Sequence, residues 1–208
     1  MQRSVALATP VSRIADDAEL TKPRITLMVV LTTAAGYYLG ATGRFDFVVL
    51  LHALLGTGVI ASAASALNQV LERDSDARML RTRHRPLPAG RMEAPAALGF
   101  GLVLTVLGTM YLAVAVNVLT AVVGAATLAL YVLVYTPMKR WSSVCTIVGA
   151  VPGALPPVMG WTAATGTLSA EAWVLFAILF FWQLPHFLAI AWNYREDYAR
   201  GGQPMLSV

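Results

Sequence analysis

A single cysteine, Cys145, is present in 208 residues. One thiol excludes an internal disulfide and a cysteine-built metal cluster. Histidine is also scarce, with three in the chain, so zinc and other softer metals lack their usual ligands. Charge is the third shortage: Asp, Glu, Lys and Arg make up 12% of the residues, about half the share of an ordinary soluble domain. Low-complexity tracts and a separate soluble domain are missing too. The N-terminus has no compact apolar segment ahead of a small-residue cleavage site, as a secretory signal would have. Residues 1–24 carry Arg3, Arg13, Asp16, Asp17, Glu19, Lys22 and Arg24 instead, and read as a charged tail lying outside a bilayer.

Apolar residues are what the chain does have, at 57% of the total. One soluble core of this size cannot hide that much apolar surface. The residues also gather into runs of roughly twenty, the length that crosses ~30 Å of hydrocarbon. Six runs are expected to span, at about 25–39, 47–67, 94–112, 116–135, 144–161 and 172–192. The predicted fold is therefore an all-α polytopic transmembrane bundle over residues 25–208, in contact with membrane lipid. Net charge is +4, yet nucleic-acid binding is not the reading it supports. With six spans, every one of the 15 Lys and Arg except Arg44 falls on one side. That is the positive-inside pattern, which sets the tail and the charged loops on the cytoplasmic or matrix face.

The most informative stretch closes the second run: Asn68-Gln-Val-Leu-Glu72-Arg73-Asp74-Ser-Asp76. On a continuing helix Asn68, Glu72 and Asp76 stand at i, i+4 and i+8, on one face. Two carboxylates and an amide oxygen are hard ligands suited to Mg²⁺, which fills its shell with water and substrate phosphates. The blander reading is a solvated helix end where the membrane stops. Asn68 counts against it, because it lies on the apolar side of the cluster, where a polar group is costly unless it faces a cavity.

Beside these acids runs Arg81-Thr-Arg83-His84-Arg85-Pro86-Leu87-Pro88-Ala-Gly90-Arg91, a basic loop stiffened by proline and glycine. Arg forks next to metal-binding carboxylates suit a diphosphate. Lys139 and Arg140, after the fourth run, lie on the same side, as either charge-neutralising groups or helix-end anchors. A second polar cluster, His186, Asn193, Arg195, Glu196, Asp197, Tyr198 and Arg200, closes the sixth run. Two such clusters could hold one or two Mg²⁺ ions on one diphosphate. His186 sits in an aromatic setting after Pro185, as a structural hydrogen-bonding residue or as a functional one; Gln183 poses the same question more weakly.

Together these residues resemble a known family. Asn-x-x-x-Glu-x-x-x-Asp followed by Arg-Thr-Arg-x-Arg-Pro-Leu-Pro is similar to the first motif of the UbiA-type intramembrane prenyltransferases, and within them to the haem-directed farnesyltransferase branch. Four more segments carry the likeness: Leu20-Thr-Lys22-Pro-Arg24, Tyr135-Thr-Pro-Met-Lys139-Arg140, Gly153-Ala-Leu-Pro156-Pro157-Val-Met-Gly160-Trp161, and Trp182-Gln-Leu-Pro-His186-Phe continuing to Glu196-Asp197-Tyr198. The resemblance runs from about Leu20 to the end. It implies a helical bundle around a central cavity, with transfer of a farnesyl group from farnesyl diphosphate to a vinyl group of haem B. Haem B is then a substrate, and a haem A synthase would act downstream. The resemblance implies Asn68, Glu72, Asp76, Asp197 and Glu196 as Mg²⁺ ligands, and Lys22, Arg24, Arg81, Arg85, Lys139 and Arg140 as diphosphate contacts. It gives His186 a place on the haem side.

The chain departs from the family pattern in three ways. Asn193 stands where many members have the first Asp of the second motif. Cys145 stands where members tend to have Asn. Six runs stand against a family pattern of nine, which implies truncation at the C-terminus. A different prenyl acceptor, such as an aromatic quinone precursor, is the alternative within the class. A transporter or a non-catalytic membrane fragment is the alternative outside it.

Overall fold

The computed structural model describes residues 10–43 and 45–206. Arg3 of the charged tail, Arg44, Ser207 and Val208 lie outside the described residues. Among those described there are helices and no strands. A short helix, α1 (Pro10–Leu20), precedes α2 (Pro23–Gly40), α3 (Phe47–Asp76) and α4 (Ala94–Ala115). Next come α5 (Val118–Ala129), a π-helical stretch (Leu130–Tyr135) and α6 (Thr136–Met138). The chain then forms α7 (Cys145–Ala154), α8 (Pro156–Thr165), α9 (Ala170–Asn193) and α10 (Arg195–Gly201).

Local chemistry sets these boundaries. Pro23 opens α2, where its missing N–H costs nothing. The Asp46 carboxylate caps α3 by accepting from the Val48 and Val49 amides at 2.9 and 3.1 Å, and Asn117 caps α5 through the Thr120 amide at 2.8 Å. Gly166, at φ 69°, ends α8 in the left-handed conformation that glycine adopts without strain. Pro137 has no N–H to continue the helix ladder, and just before it the helix widens to the π form. There the Thr136 hydroxyl and amide both donate to the Tyr131 carbonyl.

Five rods are long and apolar enough to cross a membrane: Phe47–Asp76, Ala94–Ala115, Val118–Met138, Cys145–Thr165 and Ala170–Asn193. This is an integral membrane bundle. The expected first span, α2, is helical but is not among the five. Pro23 and Arg24 in its first turn lower its mean hydropathy; Ile25, Leu27, Met28 and Leu31 still face outward, and its small residues seat against α8. The expected fifth span is two helices, α7 and α8, divided where Pro156 and Pro157 interrupt the ladder.

Small residues draw α2 and α8 together. A Cβ on Gly36 would lie 2.7 Å from the Pro157 Cα, and one on Gly160 would lie 2.5 Å from the Tyr37 amide nitrogen. Backbone meets backbone here, a close approach of the kind that small residues give membrane helices. The apolar core runs from Ile60, Ala63 and Leu67 of α3 to Leu112, Val158 and Met159. Large apolar side chains such as Leu102, Val106 and Phe181 point outward, as expected where lipid is the solvent.

Candidate active site

At one end of the bundle the polar face of α3 turns inward. Asn68, Glu72 and Asp76 are buried, at 1%, 6% and 2% exposure, as the i, i+4, i+8 spacing requires. Each has a cationic partner from a different part of the chain. Lys22, ahead of α2, donates from Nζ to Asn68 Oδ1 at 2.8 Å. Lys139, after α6, reaches Glu72 Oε1 at 2.7 Å. Arg85, from the stiff loop, reaches Asp76 Oδ2 at 2.5 Å. The stack is thus three oxygen-bearing side chains, each closed by a cation.

The surroundings set the charge states. Loss of water around the Lys22 ammonium, then repulsion from Arg85, lowers it from 10.5 to about 7, with Glu72 and Asp76 opposing. Burial works against charge on Lys139 as well, but Glu72 outweighs it and holds that ammonium above its usual range. Lys139 Nζ also lies 4.4 Å from the centre of the Tyr135 ring. Asn68 Nδ2 donates to the Thr136 hydroxyl at 3.1 Å. The π turn therefore presents both Thr136 and Tyr135 to the site, a common use of π segments.

Asp197 of α10 comes to the same end by another route. Its two carboxylate oxygens accept the Leu80 and Arg81 amides at 3.0 and 3.1 Å, and Arg200 lies 3.4 Å away. Burial raises this carboxyl, yet the two amides and Arg200 prevail and hold it below the usual range. The second motif is thus tied to the basic loop through backbone amides. No cluster of three or more His, Cys, Asp or Glu side chains converges among the described residues. Glu196 is exposed and pairs with Arg200 at 3.6 Å. Arg81 lies over the Tyr194 ring at 4.8 Å. Arg140 donates to the Leu71 carbonyl, an anchoring contact, and Arg24 is exposed.

Next to this charged end, with Tyr135 in contact with Lys139 and in the cavity wall, an apolar cavity of about 380 Å³ lies between α2, α3, the π segment, α7 and α9. Tyr131, Tyr135, Gln183 and His186 are among the residues lining it. His186 is exposed and stacks on Trp182, with ring centres 5.0 Å apart; the sequence alone left its surroundings open. Gln183 is buried, and its Nε2 has no partner among the described residues.

The sequence places Arg91 and Thr82 in the basic loop but does not show their partners. Arg91 clamps the loop to α1 through Asp16 at 2.8 Å and Glu19 at 2.5 Å, and the Thr82 hydroxyl donates to the Asp76 carbonyl at 3.0 Å. The one available signal was the opposite charge of the tail and the loop.

The donor set fits Mg²⁺: hard oxygens from two carboxylates and an amide, too few for a closed cage, as suits an ion that completes its shell on substrate phosphates. A buried acid–base stack beside an apolar cavity in a membrane bundle is an arrangement that can take an anionic head and an apolar tail.

The chain belongs to the UbiA prenyltransferase family, whose model matches residues 29–208. It is 52% identical over 202 residues to the protoheme IX farnesyltransferase of Solibacter usitatus (strain Ellin6076), covering 93% of this chain and 69% of that protein. It is 48% identical over 200 residues to the Koribacter versatilis (strain Ellin345) protein of the same name, at 95% and 64% coverage. Against the human mitochondrial protoheme IX farnesyltransferase it is 48% identical over 191 residues, at 92% and 43% coverage. The chain thus spans about two thirds of the length of these bacterial relatives. In fold it matches a UbiA homolog from Archaeoglobus fulgidus solved with DMAPP and Mg²⁺, at TM-score 0.73 and 19% identity over 90% of this chain and 67% of that one. It also matches a digeranylgeranylglyceryl phosphate synthase structure at TM-score 0.78 and 14% identity, over 94% of this chain and 68% of that one.

Proposed function

We propose that this protein transfers the farnesyl group of farnesyl diphosphate to a vinyl carbon of haem B, giving haem O. The observation that carries this reading is the buried Asn68–Glu72–Asp76 stack, paired with Lys22, Lys139 and Arg85 and linked through Tyr135 to an adjacent apolar cavity. The relatives' shared name supports haem B as acceptor. An aromatic quinone precursor has no comparable support, and a transporter would not need acids gathered at one helix end.

Asn68, Glu72 and Asp76 stand on successive turns of α3, about 12 Å from first to last. Between them they would serve one or two Mg²⁺ rather than all close on a single ion, with Asp197 ordering the loop that brings Arg81 and Arg85 to the diphosphate. When bound, Mg²⁺ would neutralise charge on the departing diphosphate. Lys22, Lys139 and Arg85 already sit within hydrogen-bond reach of the three ligands. With those oxygens engaged by a bound ion, Lys22, Lys139 and Arg85 would be free to contact the phosphate oxygens. The farnesyl tail occupies the apolar cavity, whose walls keep bulk water from the allylic cation. His186, in the cavity wall, faces the porphyrin. The tail, the basic loop and α10 lie on the cytoplasmic or matrix side, by the distribution of Lys and Arg.

Acceptor choice is tested by competition. Membranes carrying the protein are given farnesyl diphosphate, Mg²⁺ and equal amounts of haem B and an aromatic quinone precursor, and products are separated and weighed. Farnesylated haem alone is expected. A farnesylated aromatic ring would move the reading to that acceptor.

A further inference from the structure

Gln183 and Thr57 both line the cavity with a buried polar atom that has no partner among the described residues, and Gln183 is the one of the two with a separate donor and acceptor end. Its side chain is 95% buried, by its 5% exposure, lines the apolar cavity, and leaves Nε2 without a partner among the described residues. An unsatisfied buried amide costs stability and persists in native structures for a reason, such as a held water or ligand.

Its position along the cavity is fixed by two glycines of α7. A Cβ on Gly149 would lie 2.7 Å from Cδ2 of the Tyr135 ring, and one on Gly153 would lie 2.9 Å from the Gln183 Cδ. These glycines are one helical turn apart, so the carboxamide lies about 6 Å deeper than Tyr135. Tyr135 is the ring beside Lys139, at the end where the diphosphate would sit. Gln183 is therefore a few bond lengths beyond the carbon that leaves the diphosphate. A carboxylate of the acceptor would be poorly solvated by one neutral amide in an apolar wall, and basic residues wait at the charged end to take it. A neutral carboxamide suits a water molecule, to which either end can bond.

We infer that Gln183 holds the water that completes the transfer, an inference that rests on haem B being the acceptor. In the first step the vinyl π pair forms a bond to the farnesyl carbon, and the carbon–oxygen bond to the diphosphate breaks with its electron pair leaving on oxygen. This puts a cation on the inner vinyl carbon. A lone pair of the water held by Gln183 then forms the new carbon–oxygen bond. The extra proton passes to the diphosphate co-product, a stronger base than the amide. Without a positioned water the same cation loses a proton from the adjacent methylene and becomes an alkenyl side chain, one water lighter than the hydroxylated product.

The test is Gln183→Met, which keeps side-chain volume, in the protein expressed from its whole reading frame. Porphyrin products are resolved by chromatography and mass, and folding is followed by thermal unfolding in detergent. The expected result is a ratio of hydroxylated to alkenyl product lowered by about tenfold or more, the worth of one hydrogen bond to a developing charge. Gln183→Asn, which keeps the amide, should recover part of that ratio. The inference is overturned if Gln183→Met makes hydroxylated product in the wild-type ratio. It is equally overturned if the folded variant makes neither product, since Gln183 would then act before water addition. Should Gln183→Met not fold, Gln183→Asn alone decides: an unchanged ratio overturns the inference and a lowered one supports it. The wild-type arm reports separately on the parent reading, which fails if wild type yields no farnesylated porphyrin.

Discussion

Replacing Gly160 with alanine tests whether the α2–α8 contact sets the position of the site. The new Cβ would overlap the Thr33 carbonyl oxygen and stand 2.5 Å from the Tyr37 nitrogen, where ordinary contact needs about 3.5 Å or more. Both neighbours are backbone, so no rotamer change relieves the overlap, and α2 and α8 must part by about 1 Å. Overpacking of this kind costs about 1–3 kcal/mol, and the rigid partners put this case at the upper end. For a chain of this size that means a Tm lower by roughly 6–10 °C. The damage should reach the site, because Lys22 at the start of α2 bonds Asn68 on α3. Thermal unfolding in detergent and the apparent KM for farnesyl diphosphate are the assays. The control is Gly99→Ala on α4, whose Cβ meets nothing within 4 Å and which should be neutral or slightly stabilising. If Gly160→Ala matches this control in both Tm and KM, the close packing is not what positions α2.

Glu72→Gln should lower kcat by about two orders of magnitude or more and raise the Mg²⁺ requirement, since the metal loses a charged ligand; near-normal turnover in a Mg²⁺ titration would remove Glu72 from the site. Asp197→Asn should cost about 1–3 kcal/mol of stability at neutral pH, because one amide oxygen cannot replace two carboxylate oxygens on the Leu80 and Arg81 amides. Asp197 is held below the usual range, so its contribution is present above the unfolded carboxyl value of about 3.9 and fades as pH falls through the folded value. The two proteins should therefore converge in acid, and a constant gap down to low pH would contradict the assignment. Lys22 is lowered to about 7 and is largely neutral at higher pH. An arriving diphosphate favours its charged form, so binding above that pH should take up a proton. Calorimetry in buffers of different ionisation heat reads this directly, and no uptake would place Lys22 away from the anion.

Much of the site was legible because spacing alone carries it. Asn68, Glu72 and Asp76 share a face on any helix that continues past the membrane edge, and α3 does continue to Asp76. The basic loop and Lys139 were legible as partners because opposite charges at one membrane end have few other places to go. What sequence could not give was the division of labour. Asp197 carries the same carboxylate as Asp76, but its neighbours are two loop amides, a matter of tertiary approach between α10 and residue 80. Arg140 and Lys139 are adjacent in sequence, yet one anchors on a carbonyl and the other pairs with Glu72. The division of the 144–161 run into α7 and α8 was signalled by Pro156 and Pro157, but hydropathy averaged across it. The first run is a helix as expected, and it falls outside the five apolar rods because Pro23 and Arg24 belong to it, although Ile25, Leu27, Met28 and Leu31 face outward. Gln183 gave almost no signal, since only the cavity shows that its amide has no partner.

The central claim is that the buried acid–base stack works on a magnesium-bound farnesyl diphosphate with haem B as acceptor. Its most direct test is to incubate the protein, expressed from its whole reading frame, with haem B, farnesyl diphosphate and Mg²⁺, and to weigh the porphyrin product. The account predicts haem O that disappears on adding EDTA and in Asp76→Asn. Haem O formed equally well with EDTA, or haem B returned unchanged while another acceptor is farnesylated, would contradict it.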